Sequence, residues 1–319
     1  MMFKRFPVLS ALMPALMSTR RPLLLAAGLL SAATSALSSP LSVVDDAGHT
    51  VTLDRPAQRV LTLSPHTTEL VFAAGGGDRI VGTVAYSDYP PAARDIPRVG
   101  DNKAFDLERI AAMKPDLAVV WRHGNAQGQL AVLAKLGIPV FYSDPRRLDQ
   151  LPRTLERLGV LIGTADSARH AAAAYRQRLA ALRQTYAGRS PVVVFYQVWE
   201  QPLMTLNGEH MVSDVMAACG GRNLFAAETL LVPTVSTEAV VAGNPEAIVT
   251  ASMGATQSSR PLVDLQHWKR WSGMTAVQRN NLFTIDGDLI NRQGPRILDA
   301  AEILCKQLDT ARSRRPAGR

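Results

Sequence analysis

The sequence lacks the motifs by which many enzymes are recognised. It contains no HExxH zinc motif, no G-x-S-x-G nucleophile elbow and no glycine-rich phosphate loop at the start of a helix. Gly75-Gly76-Gly77 follows a predicted helix instead of preceding one, so it ends that helix. The six histidines show no metal-ligand spacing. We therefore expect a protein that is not an enzyme, with no catalytic residues, no catalytic cofactor and no metal site.

No hydrophobic run of the sequence is typical of a membrane span. The apolar run at residues 23–30 is too short. Arg20-Arg21 precede it and small residues follow, which is the pattern of a secretory signal peptide over residues 1–36, with Met1 or Met17 as the start. The formal net charge of +8 forms no dense basic stripe interleaved with aromatics. Nucleic acid is therefore not an expected partner.

Cysteine is scarce, with two residues in the whole chain, Cys219 and Cys305. In an exported protein an even pair favours a disulfide. Such a bond would tie the last predicted helix to the second half of the chain. Two separate buried thiols are the alternative.

One segment of the sequence occurs twice. Residues 106–120 are echoed by residues 236–250, each with a helix-capping residue, a glutamate two places on, a short apolar helix, a proline and an apolar strand. The equivalent pairs are Asp106 and Ser236, Glu108 and Glu238, and Pro115 and Pro245. The repeat predicts two similar lobes, each presenting one glutamate at an equivalent place.

Strands that alternate with helices along the rest of the chain predict an α/β fold. We expect two Rossmann-like lobes with parallel sheets, joined by a single long backbone helix. The alanine-rich residues 168–186, capped by Asp166, predict this helix, about 28 Å long; an ordinary surface helix is the alternative. The expected divisions are a signal peptide at 1–36, an N-terminal lobe at 37–165, an interlobe helix at 166–188, a C-terminal lobe at 189–312 and a disordered tail at 313–319.

The candidate ligand-binding residues follow predicted strands. In a doubly wound lobe, ligands lie beyond the carboxyl ends of the strands. Aromatic side chains there offer wide apolar surfaces, and Asp and Arg orient amide or carboxylate groups. The candidates are Pro65, His66, Tyr86, Trp121, Trp199, Asp288 and Arg292. This set suits a large, flat, partly polar ligand, although core packing is the alternative for Trp121 and Trp199.

The chain resembles the periplasmic vitamin B12-binding proteins of ABC importers over about residues 58 to 310. The matching segments are residues 63–75, 86–91, 107–110, 114–117, 121–125, 219–221 and 292–297. Single segments among these also suit haem- or siderophore-binding relatives. The resemblance implies a monomeric periplasmic protein that holds a corrinoid, cobalamin, between two lobes joined by one rigid helix.

The resemblance also implies roles for individual residues. Glu108 and Glu238 match the glutamates that dock on arginines of the membrane permease dimer. Tyr86 and Trp121 match residues that contact the corrin ring. Asp288 and Arg292 match residues that hold its amide side chains, and Cys219 and Cys305 match the family disulfide.

The sequence departs from the family pattern at three cleft positions. Asn102 stands where a relative has tryptophan, residues 232–234 lack a second tryptophan, and Leu289 replaces an aromatic residue. Phe105 and Trp199 are candidates to compensate. These departures leave the ligand open: haem or an iron siderophore is the first alternative. An exported enzyme and a structural or adhesion module are further alternatives.

His66 carries a separate hypothesis. It lies where a strand ends and a helix begins, facing the expected cleft. A neutral imidazole there would ligate cobalt or haem iron. We favour the alternative, a hydrogen-bonding residue of the cleft wall.

Overall fold

The N-terminal lobe is built on one parallel sheet. The computed structural model describes residues 40–101, 103–252 and 263–316. The elements of this lobe, with the long helix that follows it, are β1 (Leu41–Val44), β2 (Thr50–Leu53), β3 (Val60–Thr62), α1 (Pro65–Ala73), β4 (Ile80–Gly82), α2 (Leu107–Met113), β5 (Leu117–Trp121), α3 (Gln127–Lys135), β6 (Val140–Ser143), α4 (Leu151–Leu161) and α5 (Ala165–Tyr186). β1 and β2 form an antiparallel hairpin. The parallel sheet has the order β4-β3-β5-β6.

The C-terminal lobe repeats this topology. Its elements are β7 (Val192–Gln197), α6 (Met211–Ala218), β8 (Gly221–Asn223), α7 (Thr237–Gly243), β9 (Ala247–Ala251), α8 (Thr275–Gln278), β10 (Leu282–Ile285), α9 (Gly287–Ile290) and α10 (Ile297–Ser313). Its sheet has the order β10-β9-β7-β8, also entirely parallel. Counted from the first strand of each parallel sheet, both lobes have the order 2-1-3-4. The predicted fold class, two α/β lobes with parallel sheets, is confirmed.

The sequence repeat forms the same local structure in both lobes. The Asp106 carboxylate accepts a hydrogen bond from the backbone N–H of Arg109 at the start of α2, and the Ser236 hydroxyl accepts one from Ala239 at the start of α7. Both helices end in a left-handed residue directly before the proline, Lys114 in one lobe and Asn244 in the other. The predicted N-caps are therefore confirmed.

Helix α5 follows the N-terminal sheet and precedes the C-terminal one. It begins three residues earlier than predicted, after Thr164, and Asp166 lies exposed inside its first turn. The prediction that Asp166 caps the helix is wrong. α5 packs along α4 and also contacts α6 and α10. It buries Ala172, Tyr175 and Leu179 in a core cluster, so it is more than a surface helix.

One hydrophobic core cluster extends through both lobes. It includes Leu117 and Val119 of β5 together with Val194 of β7 and Val249 of β9. The described residues between 40 and 316 accordingly form one compact unit. A packed connection of this kind restricts the motion of one lobe against the other, because interiors are close-packed.

The predicted disulfide between Cys219 and Cys305 is present. It joins the end of α6 to the middle of α10. α10 continues to Ser313, and the guanidinium of Arg315 beyond it donates hydrogen bonds to the carboxylate of Glu246. The predicted signal peptide and residues 317–319 of the predicted tail lie outside the described residues, and the domain limits remain a prediction.

Candidate functional site

The candidate ligand residues lie at the carboxyl ends of the two sheets. His66 follows β3 and Trp121 ends β5, while Asp288 follows β10. Because strands of a parallel sheet end at the same edge, these residues share an edge within each lobe. The two edges meet, since Arg292 of the C-terminal lobe contacts Glu69 of the N-terminal lobe. The interface between the lobes therefore carries the candidate site.

A cluster of five charged side chains lies at this interface, and we call it the interlobe charge cluster. Its members are Glu69, Asp88, Asp288, Arg292 and Arg296. Nη1 of Arg292 lies 3.0 Å from Glu69 Oε1 and 3.2 Å from Asp88 Oδ1, and its Nη2 lies 2.6 Å from Asp288 Oδ1. Arg296 donates to both oxygens of Glu69. Three carboxylates and two guanidinium groups give the cluster a formal charge of −1.

Three members of the interlobe charge cluster were not among the predicted site residues: Glu69, Asp88 and Arg296. Glu69 lies in α1 directly before the apolar run 70–74, and its side chain is 2% exposed. A carboxylate beside such a run is a signal for a buried, paired charge. Arg292 and Arg296 lie in the non-helical segment between α9 and α10, so their spacing gave no helical signal for the pair.

His66 forms part of the wall beside the interlobe charge cluster. Its Nδ1 lies 3.0 Å from the hydroxyl of Ser64, the N-cap of α1. Burial, and secondly the positive charge of Arg292, lower the pKa of His66 to about 3. The imidazole is therefore neutral at physiological pH. Its Nε2 is buried and has no hydrogen-bond partner among the described residues.

Trp121 covers one side of His66. The two rings meet edge to face, with centroids 5.5 Å apart. The indole Nε1 is buried and, among the described residues, it has no hydrogen-bond partner either. The ring packs against Gly124, because a Cβ at that glycine would lie 1.7 Å from Trp121 Cε3. Trp121 thus packs beside His66 in the wall.

Two of the predicted aromatic residues present open surfaces. Tyr86 is 52% exposed and Trp199 is 48% exposed. Tyr86 has a φ of 65°, a left-handed conformation that costs a non-glycine residue about 1–3 kcal/mol and that clusters at functional sites. The indole N–H of Trp199 donates to the carbonyl of Gln201. Trp199 is therefore not a core residue. Pro65, the first residue of α1, is partly buried beside His66.

One predicted replacement for the missing tryptophans is wrong. Phe105 is 6% exposed and packs in the core of the N-terminal lobe with Val99 and Ile110. Its backbone N–H donates to Gln129, which fixes the loop with the ring turned inward. Leu289 is partly buried against the core, and Asn102 lies outside the described residues.

Glu108 and Glu238 occupy equivalent places on the two lobes. Each lies in the first turn of its helix, α2 or α7, and each is exposed. A carboxylate at a helix N-terminus is stabilised by the helix dipole, by about 0.3–1 kcal/mol. Neither forms an ion pair within the part of the chain that the structure describes. Both carboxylates are thus available to a cationic partner.

The described residues contain no group of three or more His, Cys, Asp or Glu side chains placed to hold a metal ion. In those same ranges, no helix is both long enough and apolar enough to cross a lipid bilayer.

The duplicated topology and the ligand-facing interface define a two-lobed binding protein. A family model for periplasmic binding proteins matches residues 60–289, and the chain belongs to that family. The vitamin B12-binding protein of Vibrio cholerae is 37% identical over 257 residues, which cover 80% of this chain and 91% of that protein. The vitamin B12-binding protein of Photorhabdus laumondii is 41% identical over 251 residues, covering 79% and 88%.

Solved structures agree with this assignment. The crystal structure of the periplasmic vitamin B12-binding protein BtuF of Vibrio cholerae matches with a TM-score of 0.72 and 37% identity, and the match covers 81% of this chain and 98% of that one. The periplasmic haem-binding protein HutB of Vibrio cholerae matches with a TM-score of 0.67 at 18% identity. At that identity the likeness concerns the fold alone.

Proposed function

We propose that this protein captures a corrinoid, cobalamin, between its lobes in the periplasm and delivers it to an ABC importer. The observation that carries the proposal is that exposed aromatic residues, Tyr86 and Trp199, and the Asp288–Arg292 ion pair all follow strands of the two sheets. A corrin is a wide, flat ring with amide side chains at its rim. Aromatic faces suit such a ring, and an Asp–Arg pair suits the N–H and C=O groups of amides.

Tyr86 and Trp199 are the proposed apolar contacts, because they are the exposed aromatic residues among the candidates. Trp121 and His66 form the adjoining wall with Pro65. Trp121 Nε1 and His66 Nε2 have no hydrogen-bond partner among the described residues, and buried polar atoms are rarely left in this state. We therefore propose that both atoms form hydrogen bonds with polar groups at the edge of the ligand. In this role His66 binds the ligand through a hydrogen bond and not as a metal ligand.

The charge of the site favours a corrinoid over haem. Haem carries two carboxylates, which require cations in a binding protein. Both arginines of the interlobe charge cluster are already paired with carboxylates, and the cluster has a formal charge of −1. The negative charge of the cluster would repel the two carboxylates of haem. Amide groups carry no charge and meet no such penalty.

Glu108 and Glu238 are the proposed docking residues for the permease dimer of the inner membrane. Two equivalent lobes that each present one free carboxylate match a partner made of two equivalent subunits. Arginines on the permease would bind these carboxylates in bidentate fashion. We propose that the protein acts as a monomer and catalyses no reaction in this role.

Calorimetric titration of the purified protein tests the ligand. We expect submicromolar binding of cyanocobalamin and much weaker binding of haemin. Trp199→Ala should weaken binding, whereas Tyr186→Ala, at the far end of α5, is the matched control and should bind as the wild type does. A preference for haemin would replace the corrinoid with haem, and turnover of a substrate without binding of either would indicate an enzyme.

Uptake of labelled cyanocobalamin by cells tests the docking residues. Glu108→Lys together with Glu238→Lys should abolish uptake and leave ligand binding intact. Glu228→Lys makes one charge reversal of the same kind at an exposed site in the C-terminal lobe, outside the two docking helices, and should leave uptake unchanged. Normal uptake in the double variant would contradict the docking proposal.

A further inference from the structure

Glu69 is a carboxylate buried at the interface between the lobes. Its side chain is 2% exposed. On α1 it lies three residues after His66, so both face the same side of the helix. An ionised carboxylate removed from water in this way is unfavourable unless cations and hydrogen bonds compensate it. Glu69 therefore depends on its partners.

Both partners of Glu69 come from the opposite lobe. Arg296 binds it through two hydrogen bonds, from Nε to Oε2 at 2.9 Å and from Nη2 to Oε1 at 2.6 Å. Arg292 adds a third, from Nη1 to Oε1 at 3.0 Å. Two guanidinium groups of the segment 292–296 thus converge on one carboxylate of the N-terminal lobe. This segment leads from α9 into α10.

Glu69 also helps to orient Arg292. One nitrogen of this guanidinium is shared between Glu69 and Asp88 of the N-terminal lobe, and the other binds Asp288 of its own lobe. Three of the five N–H groups of arginine are used in this way. Since a guanidinium is planar and rigid, three bonds fix its orientation and the direction of the other two N–H groups.

We propose that Glu69 is a positioning residue for ligand capture, a role that rests on the proposed function of the interface. Its carboxylate holds the segment 292–296 of the C-terminal lobe, so that Arg292 and Asp288 keep one orientation toward the ligand. The remaining N–H groups of Arg292 then meet an amide C=O of the ligand, and Asp288 accepts from an amide N–H. Glu69 itself contacts no ligand atom in this arrangement.

A double-mutant cycle on cyanocobalamin affinity tests this role. Glu69→Gln removes the charge and keeps the side-chain shape. We expect it to weaken binding about tenfold, the lower end of the loss found when a group that orients a metal ligand is removed. In an Arg292→Gln background the same change should alter affinity by less than about twofold, because residues that act through one another are not additive.

The control is Glu156→Gln. Glu156 forms a similar two-bond pair with Arg176, but on the outer surface between α4 and α5. This variant should bind as tightly as the wild type. Glu69→Asp keeps the charge with a shorter reach, and we expect an affinity between those of the wild type and Glu69→Gln.

Three outcomes would overturn the inference. Equal affinity of wild type and Glu69→Gln would show that Glu69 positions nothing, and an equal loss with and without Arg292 would indicate a purely structural role. A wild-type protein that binds no corrinoid would overturn both the positioning role and the proposed function, whereas the first two outcomes would overturn only the positioning role.

Should Glu69→Gln fail to fold, Glu69→Asp takes its place in the cycle, with a loss of affinity expected only when Arg292 is present.

Discussion

The buried neutral His66 predicts a loss of stability in mild acid. Its pKa in the folded protein is lowered from 6.5 to about 3, first by burial and then by the charge of Arg292. In the unfolded chain the imidazole of His66 therefore binds a proton near pH 6.5, whereas in the folded protein it remains neutral at that pH. For a group with a lowered pKa of this kind, the unfolded state holds more protons, so stability falls as the pH falls below 6.5.

The size of this effect follows from the two pKa values of His66. Each pH unit between 6.5 and about 3 changes the free energy of unfolding by about 1.4 kcal/mol. At pH 5, which is 1.5 units below the unfolded pKa, His66 alone lowers the stability by about 2 kcal/mol relative to pH 8. Burial also lowers the pKa of His210, to about 4, which acts in the same direction. The difference between wild type and a His66 variant isolates the contribution of His66.

Urea unfolding followed by tryptophan fluorescence measures this effect at pH 8 and pH 5. His66→Asn removes the titrating ring, and its loss of stability between the two pH values should be about 2 kcal/mol smaller than that of the wild type. His170→Asn, on the exposed face of α5, is the control and should keep the wild-type pH dependence. An identical pH dependence in wild type and His66→Asn would refute the reasoning.

Three further changes have defined outcomes. Replacing Cys219 and Cys305 by serine opens a loop of 86 residues and should lower the free energy of unfolding by about 4–5 kcal/mol, measured by urea unfolding; a loss below about 1 kcal/mol would contradict it. Gly124→Ala places a Cβ where the Trp121 ring lies, so it should displace the indole and weaken cyanocobalamin binding in a calorimetric titration. Unchanged affinity would show that Trp121 does not shape the site. Asp106→Ala removes the N-cap of α2 and should lower the free energy of unfolding by about 1 kcal/mol, measured by thermal unfolding, without changing the affinity for cyanocobalamin. A loss of cyanocobalamin affinity in this variant would contradict the prediction.

The two-lobed fold was predictable because its signals are local. Asp106 and Ser236 cap helices through backbone groups three residues away. The prolines that follow those helices act on their own backbone. Helix caps and prolines therefore give the same sequence pattern wherever they occur, and the repeat contains this pattern twice. The start of α5 was missed because Asp166 suits a helix first turn as well as an N-cap.

The interlobe charge cluster was less predictable because its contacts are not local. Glu69 and Arg296 are 227 residues apart, and no periodicity connects them. Asp288 and Arg292 were predicted as ligand-binding residues, because both follow a strand of the C-terminal lobe. Phe105 was misassigned for a related reason. It was a candidate to compensate for a missing tryptophan, but contacts with residues from other elements turn the ring into the core.

The central claim is that a corrinoid binds between the lobes, beside the interlobe charge cluster. A crystal structure of the protein with cyanocobalamin tests it most directly. We predict density for the corrin ring between the carboxyl ends of the two sheets, in contact with Tyr86 and Trp199, with an amide side chain on Arg292 or Asp288. A corrinoid bound on the outer surface of either lobe, or a structure with no corrinoid at a saturating concentration, would contradict it.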